Sequence, residues 1–283
     1  MTELARQLRR DTIRMIVHAG SGHVGGALGA ADIVAALYSG ILRFKKDDPS
    51  WPERDRLVLS NGHICAVWYA ALARTGQIAV EELATHRRFG SRLQGHPARA
   101  KLGDLVETSS GPLGQGLSVA NGLALAARLD GRDTRVFVVL GDGELAEGQI
   151  WEAAMTAGHY GLDHVTAIVL DNGLQIDGAT REIMTQEPIA ARFSAFGWHA
   201  HEIAGHDDDD VRRALQSAVG GGKPHVVVAR VAMASGVPAW EDQAKWHGTT
   251  PKSAEADEAL TALGTSPEYT DFPLLDATTG ALT

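Results

Sequence analysis

A single cysteine, Cys65, stands among 283 residues, so no disulfide can form within the chain and no cysteine-based zinc site can be assembled. A reducing, cytoplasmic setting is expected. Long apolar runs are missing too: nothing approaches the ~20 residues a membrane-spanning helix needs. The N-terminal MTELARQLRRDTIRM carries an amphipathic pattern in place of the apolar core of a secretion signal. The chain is therefore expected to be neither secreted nor embedded in a membrane. Basic clusters are lacking as well. With 26 Lys and Arg scattered among 35 Asp and Glu, the net charge is -9, and nucleic acid is an unsuitable partner. No internal repeat or low-complexity segment is found. What is present is the balance of an ordinary folded protein, 44% apolar and 22% charged residues. The length suits one large α/β domain, expected over residues 1–250, with a C-terminal helix and tail over 251–283.

Apolar spacing predicts helices that end in glycine-rich turns, three of which present a histidine. Leu4, Leu8, Ile13, Ile16 and Val17 share a helical face before Gly20-Ser21-Gly22-His23. Ala30 to Leu42 reads as a second helix, and Arg56 to Leu59 as a short strand ending at Ser60-Asn61-Gly62-His63. A helix from Ala66 to Thr75 leads on to Gln94-Gly95-His96-Pro97 and then to the loop Gly111-Pro112-Leu113-Gly114-Gln115-Gly116. After a helix over Ser118 to Leu129, Arg135 to Leu140 and Val165 to Leu170 are β-branched runs of the kind buried on both faces. Glu144 to His159 is the expected crossover helix between them, giving a βαβ unit. Alternation continues through Ile189–Phe196, Trp198–Ile203, 209–219 and 225–231, and one further helix is expected near 254–263. The whole implies a doubly wound, mainly parallel sheet with helices on both faces.

Two stretches have dinucleotide-fingerprint spacing, Gly20-x-Gly22-x-x-Gly25 and Gly141-x-Gly143-x-x-Ala146. The first follows a helix, where a strand is required. The second follows a strand, and Asp171 ends the next one, so chemistry must separate a nicotinamide site from another diphosphate site. Asp142 lies inside the turn. Its carboxylate would repel a bare diphosphate by roughly 1 to 4 kcal/mol at ~4 Å, whereas a divalent cation between them reverses the sign. Neighbouring parallel strands open on one sheet edge, so Asn172, with 28 residues between it and Gly143, can converge on the same ion, as can the Leu174 carbonyl. Taken singly, Asp142 could be a helix cap and Asn172 a turn residue; their order and spacing together favour a metal-held diphosphate.

These segments resemble transketolases. GDGELAEGQIWEA from Gly141 and DNGLQIDG from Asp171 are similar to that family's thiamine diphosphate motif. SGHVGGALGAADI from Ser21, DRLVLSNGH from Asp55, GHP at Gly95, GPLGQG at Gly111 and WHG at Trp246 follow in the family's order. By this resemblance Asp142, Asn172 and the Leu174 carbonyl bind Mg²⁺, while Gly143, Asn172, His63, His247 and the turn Gly111, Pro112, Leu113 contact the cofactor. His23, His96 and His247 would line the substrate channel as proton-transferring groups, which neutral imidazoles near their ordinary pKa can be. Glu147 would sit at the contact between the two cofactor-related halves.

The resemblance also implies a partner. Transketolases activate the thiazolium carbon through a glutamate on a pyrimidine-binding domain, and no segment here resembles that domain. A separate C-terminal subunit carrying it, in an α₂β₂ assembly acting on sugars or sugar phosphates, is the expectation. One departure stands out: fourteen residues before His247, where many relatives carry a lysine, this chain has Met233. The alternatives are the α subunit of a 2-oxo acid dehydrogenase, a nicotinamide dehydrogenase, or an idle subunit that stabilises a partner.

Overall fold

The structure is a computed structural model that describes residues 1–276 and Leu282. Seven strands are present among them: β1 (Arg56–Leu59), β2 (Val136–Gly141), β3 (Val165–Asp171), β4 (Leu174–Gln175), β5 (Gly178–Ala179), β6 (His199–Ala204) and β7 (His225–Arg230). Five of them form one parallel sheet in the order β1-β2-β3-β7-β6, and β4 pairs with β5 as a small antiparallel ribbon. The helices are α1 (Glu3–Ala19), α2 (Val24–Gly29), α3 (Ala31–Ala36), α4 (Cys65–Arg74), α5 (Arg99–Leu102), α6 (Gly116–Leu129), α7 (Gly148–His159), α8 (Thr180–Ile183), α9 (Ile189–Ala195), α10 (Asp208–Ser217) and α11 (Ser253–Leu263).

Strand residues sort between two cores because successive side chains point to opposite faces. Phe137, Val139, Ile168, Leu170, Val227 and Ala229 face one side, where α1 to α4, α10 and α11 pack. Val136, Val138, Leu140, Val165, Ala167, Val169, Val226 and Val228 face the other, against α6, α7 and α9. This two-sided burial is what the β-branched runs imply, and the sheet is doubly wound as expected. β6 closes one margin with His199, His201 and Glu202 partly or fully exposed, a polar edge that discourages further strand pairing.

Two helices differ from the sequence reading. The helix expected over 30–42 starts earlier, directly after His23, and breaks into α2, α3 and a widened turn at Leu37–Ile41, where Ser39 and Gly40 leave helical geometry. Glycine disfavours helices intrinsically, yet a Cβ on Gly25 would meet the Met233 sulfur at 2.4 Å and the Trp246 carbonyl at 2.8 Å. Close packing decides the conformation. The crossover helix expected from Glu144 begins only at Gly148, preceded by a tight 3₁₀ turn over Gly143–Ala146 and an extended Glu147. The cause is Glu144, which folds back into the protein, as described below.

α1 is capped at both ends, by the Thr2 hydroxyl accepting from the Ala5 amide and by left-handed Gly20. It buries charge as well as apolar surface. Asp11 pairs with Arg74 at 2.7 Å and Arg9 with Asp32 at 2.6 Å, all four side chains nearly inaccessible. The segment after α11 returns to α1, where Asp271 pairs with Arg10 at 2.6 Å and Phe272 is buried. Of the expected tail, residues 277–281 and 283 lie outside the described residues.

Two glycine substitutions test this packing in opposite directions. A Cβ at Gly158 in α7 would lie 1.9 Å from the Phe196 carbonyl oxygen, whereas one at Gly122 in α6 meets nothing within 4 Å. In urea denaturation, Gly158→Ala should lose about 3 kcal/mol by overpacking, and Gly122→Ala should gain up to about 1 kcal/mol from helix propensity.

Candidate active site

The loops leaving β1, β2 and β3 open at the carboxyl edge of the sheet, the usual ligand-binding edge of such folds. A cavity of ≈ 430 Å³ lies there, large enough for a small cofactor. The structure brings together on its walls His23, His63, His96, His247, Gly111, Leu113, Asp142, Gly143, Asn172 and Leu174. One expected cofactor contact, Pro112, is not in the lining, and Glu147 was expected at the contact between the two halves. Pro112 is exposed and faces a separate small hollow beside Ser60 and Gly116. Glu147 is exposed on this chain, its Cβ packed against the Gly114 turn.

Asp142 directly follows β2, its carboxylate fixed by two amides, Gly143 donating to Oδ1 at 2.9 Å and Gly173 to Oδ2 at 2.8 Å. Burial, followed by the nearby Asp171 carboxylate, pushes its pKa up to about 7. Two amide bonds do not offset the missing counter-charge. Asn172 Oδ1 accepts from the Leu174 amide at 2.9 Å, shaping the turn that carries the Leu174 carbonyl. Asp171, which a dinucleotide site would use for a ribose hydroxyl, is instead engaged by Arg230.

Glu144 is the residue that the sequence reading missed here. It is buried and accepts from the Gly114 amide at 2.7 Å, the Gly141 amide at 3.0 Å and the Ser60 hydroxyl. It thereby ties the Gly111 loop, the β1 turn and the Gly141 turn into one unit. Its signal was a carboxylate directly after the glycine turn, where a helix-capping role is the simpler assumption.

The four histidines come from four separate segments yet meet in one place. His23 and His63 stack edge to face with centroids 5.1 Å apart, and His247 lies 5.4 Å from His63 and 6.1 Å from His23. Burial first, then the other imidazoles, lowers His63 to about 3. Burial, His247 and Arg87 lower His23 to about 4. His96 and His247 are also lowered by burial. At neutral pH the group therefore offers neutral rings, each a donor and an acceptor.

Arg87 is a second residue the sequence reading missed. It takes a left-handed backbone (φ 58), reaches Ser21 Oγ at 3.2 Å, and contributes to lowering both His23 and His96. No periodicity or motif marks it.

Four buried polar atoms on the cavity wall have no partner among the described residues: His23 Nδ1, Asn61 Oδ1, Gln175 Nε2 and His247 Nδ1. Each unpaired buried group costs about 1–3 kcal/mol, so the wall is built for a polar ligand. Among the described residues no Lys or Arg belongs to the lining, and Met233 occupies part of the floor.

The histidine environment has a pH signature. Because the folded rings titrate below the ordinary value of 6.5, stability is full above that pH and is lost as pH falls toward about 4. Ring-proton NMR of the chain should show His23 and His63 unchanged between pH 8 and 5.5; a midpoint near 6.5 for His63 would contradict its burial among imidazoles.

Comparison with known proteins identifies the family and fold. Residues 1–276 match the family model described as transketolase, thiamine diphosphate binding domain. The chain is 39% identical over 253 residues to one of the subunits of an apulose-4-phosphate transketolase from Phocaeicola vulgatus, covering 89% of each. It is 43% identical over 226 residues to the SqwG subunit of a 6-deoxy-6-sulfo-D-fructose transketolase from a Clostridium species, covering 79% of this chain and 82% of that one. The crystal structure of Campylobacter jejuni transketolase superposes with a TM-score of 0.88 at 34% identity over 95% of this chain but 43% of that one. The chain thus spans under half of the single-chain enzyme and most of the length of the subunits. It belongs to the transketolase family, as its thiamine diphosphate binding domain.

Proposed function

We propose that this chain is the N-terminal subunit of a split, Mg²⁺-dependent transketolase, which transfers a two-carbon ketol unit from a ketose to an aldose. The observation that carries the reading is Asp142, a buried carboxylate inside a glycine turn on a cavity wall whose lining includes no Lys or Arg among the described residues. An anionic diphosphate enters such a place only with a cation. Among the described residues no three His, Cys, Asp or Glu side chains gather as a metal site. That suits an ion whose protein ligands are one carboxylate, the Asn172 amide oxygen and the Leu174 carbonyl, the rest coming from phosphate and water.

In this reading Gly143 and the turn Gly111 to Leu113 lie against the cofactor, with His63 and His247 beside it. Thiamine diphosphate held by these residues would supply the electron sink that carbon–carbon cleavage requires. The protein's own contribution is placement and proton handling. Neutral His23, His96 and His247 would hydrogen-bond the hydroxyls of the sugar, and one of them can take the proton of the ketose hydroxyl, becoming imidazolium, and return it once the carbon–carbon bond has broken. The glutamate that acts on the aminopyrimidine is assigned to a partner subunit. Support comes from two relatives that are themselves named as subunits and from Leu113, Ile176 and Ile183, apolar side chains exposed at the cavity. Glu147, exposed next to the Gly114 turn, would meet the other half in an α₂β₂ assembly. Residues 1–250 form the cofactor module in this scheme, with 251–283 as its C-terminal helix and tail, and a cytoplasmic location belongs to the same reading.

Calorimetric titration checks the metal-held diphosphate. Thiamine diphosphate should bind in Mg²⁺ and not in EDTA, and Asp142→Ala should weaken it at least 100-fold, about 2.7 kcal/mol; binding indifferent to both changes would sink the reading. Ketol transfer should be absent with this chain alone and appear when the pyrimidine-domain subunit is added, so full transfer by the chain alone would end the split-site proposal.

A further inference from the structure

Behind the cavity floor lies a buried ion-pair network that is not among the cofactor contacts, although one member, Asp32, falls within the SGHVGGALGAADI segment. The floor is the loop after β7, in which Val231 and Met233 line the cavity. This loop is strained. Ala234 takes a left-handed backbone (φ 57) although it carries a Cβ, a conformation costing about 1–3 kcal/mol that survives only when its surroundings impose it.

Four hydrogen bonds impose it. The Ala234 amide donates to the Gly25 carbonyl at 2.9 Å, and the Asp242 amide donates to the Met233 carbonyl at 3.1 Å. Arg9 Nε donates to the Ser235 carbonyl at 2.8 Å. The Ala232 amide donates to His206 Nε2 at 2.8 Å. That last bond fixes the ring's tautomer: Nε2 is an acceptor, so the proton sits on Nδ1, which donates to Asp32 Oδ2 at 2.7 Å. The same Asp32 carboxylate accepts from Arg9 at 2.6 and 3.2 Å. Burial alone would raise Asp32, but His206 and Arg9 outweigh it and hold the carboxyl down at about 2. One buried carboxylate in α3 thus anchors both side chains that grip the loop, Arg9 from α1 and His206 from the turn after β6.

We propose that Asp32 and His206 are a positioning pair for the cofactor cavity, in which His206 holds the Ala232 amide and so places Met233 on the cavity floor. The geometry of the floor leaves little slack, since the Met233 sulfur fills the space that a Cβ on Gly25 would need. A shift of Ala232 therefore moves Met233 against α2, the helix that opens directly after His23. The proposal rests on the thiamine diphosphate reading of this cavity.

Three variants at one position separate positioning from simple stability. His206→Gln keeps an acceptor near the Nε2 position; His206→Asn keeps only a donor near Nδ1; His206→Ala keeps neither. Each is titrated with thiamine diphosphate in Mg²⁺, and its Tm is recorded. The expected result is affinity within about twofold of the parent for Gln and about tenfold weaker for both Asn and Ala, the order of one lost hydrogen bond. Affinity equal in all three variants, rescue by Asn but not Gln, or affinity that simply follows Tm would overturn the positioning role. If the parent chain itself fails to bind thiamine diphosphate, it is the functional reading that falls, which a bound parent with unresponsive variants distinguishes.

Discussion

Asp142 is a carboxylate held out of water just beyond a strand in which Val136 to Leu140 are all apolar and buried. Removing a charge from water is costly unless something compensates it, and two amide donors compensate only in part. Much of the surrounding architecture serves that one group. The parallel sheet delivers the Gly143 and Gly173 amides to its two oxygens from neighbouring strand ends. Glu144 pins the Gly111 loop against the same turn. The residual deficit, visible in the raised pKa of Asp142, is what a divalent cation can settle.

Elsewhere the protein resolves buried charge internally. Asp55 receives Arg43 and Arg135, Asp11 receives Arg74, and Asp32 receives Arg9 and His206. Breaking such pairs one partner at a time is expensive because the survivor stays buried. Asp142 differs from these carboxylates in receiving backbone amides where they receive cationic side chains. The contrast between charge-paired and unpaired acids separates scaffold from site more sharply than burial does, since Asp11, Asp55 and Asp142 are all buried.

Central strands were legible in the sequence because burial on both faces writes an uninterrupted β-branched run, as in Val136–Leu140. Helices were legible where a single face is apolar, as in α1. The α2–α3 region was not, because Gly25 and Gly29 are set by the approach of Met233, Trp246 and Ala232 from more than 200 residues away. The cavity residues Asp142, Asn172 and Leu174 and the four histidines could be named from motif order. Arg87, Glu144 and His206 could not: their significance lies in which distant backbone atoms they reach, and spacing along the chain carries no trace of that.

The two margins of the sheet also bear on how the molecule can grow. β1 is four residues long, and β6 carries His199 and His201 on one face and Glu202 on the other. Neither margin is a good template for another strand, so added mass has to arrive over the carboxyl edge or against the helical layers. A family that exists both as single long chains and as separate subunits is then free to cut or join its polypeptides in the connecting segments, because no hydrogen-bonded sheet would run across the junction.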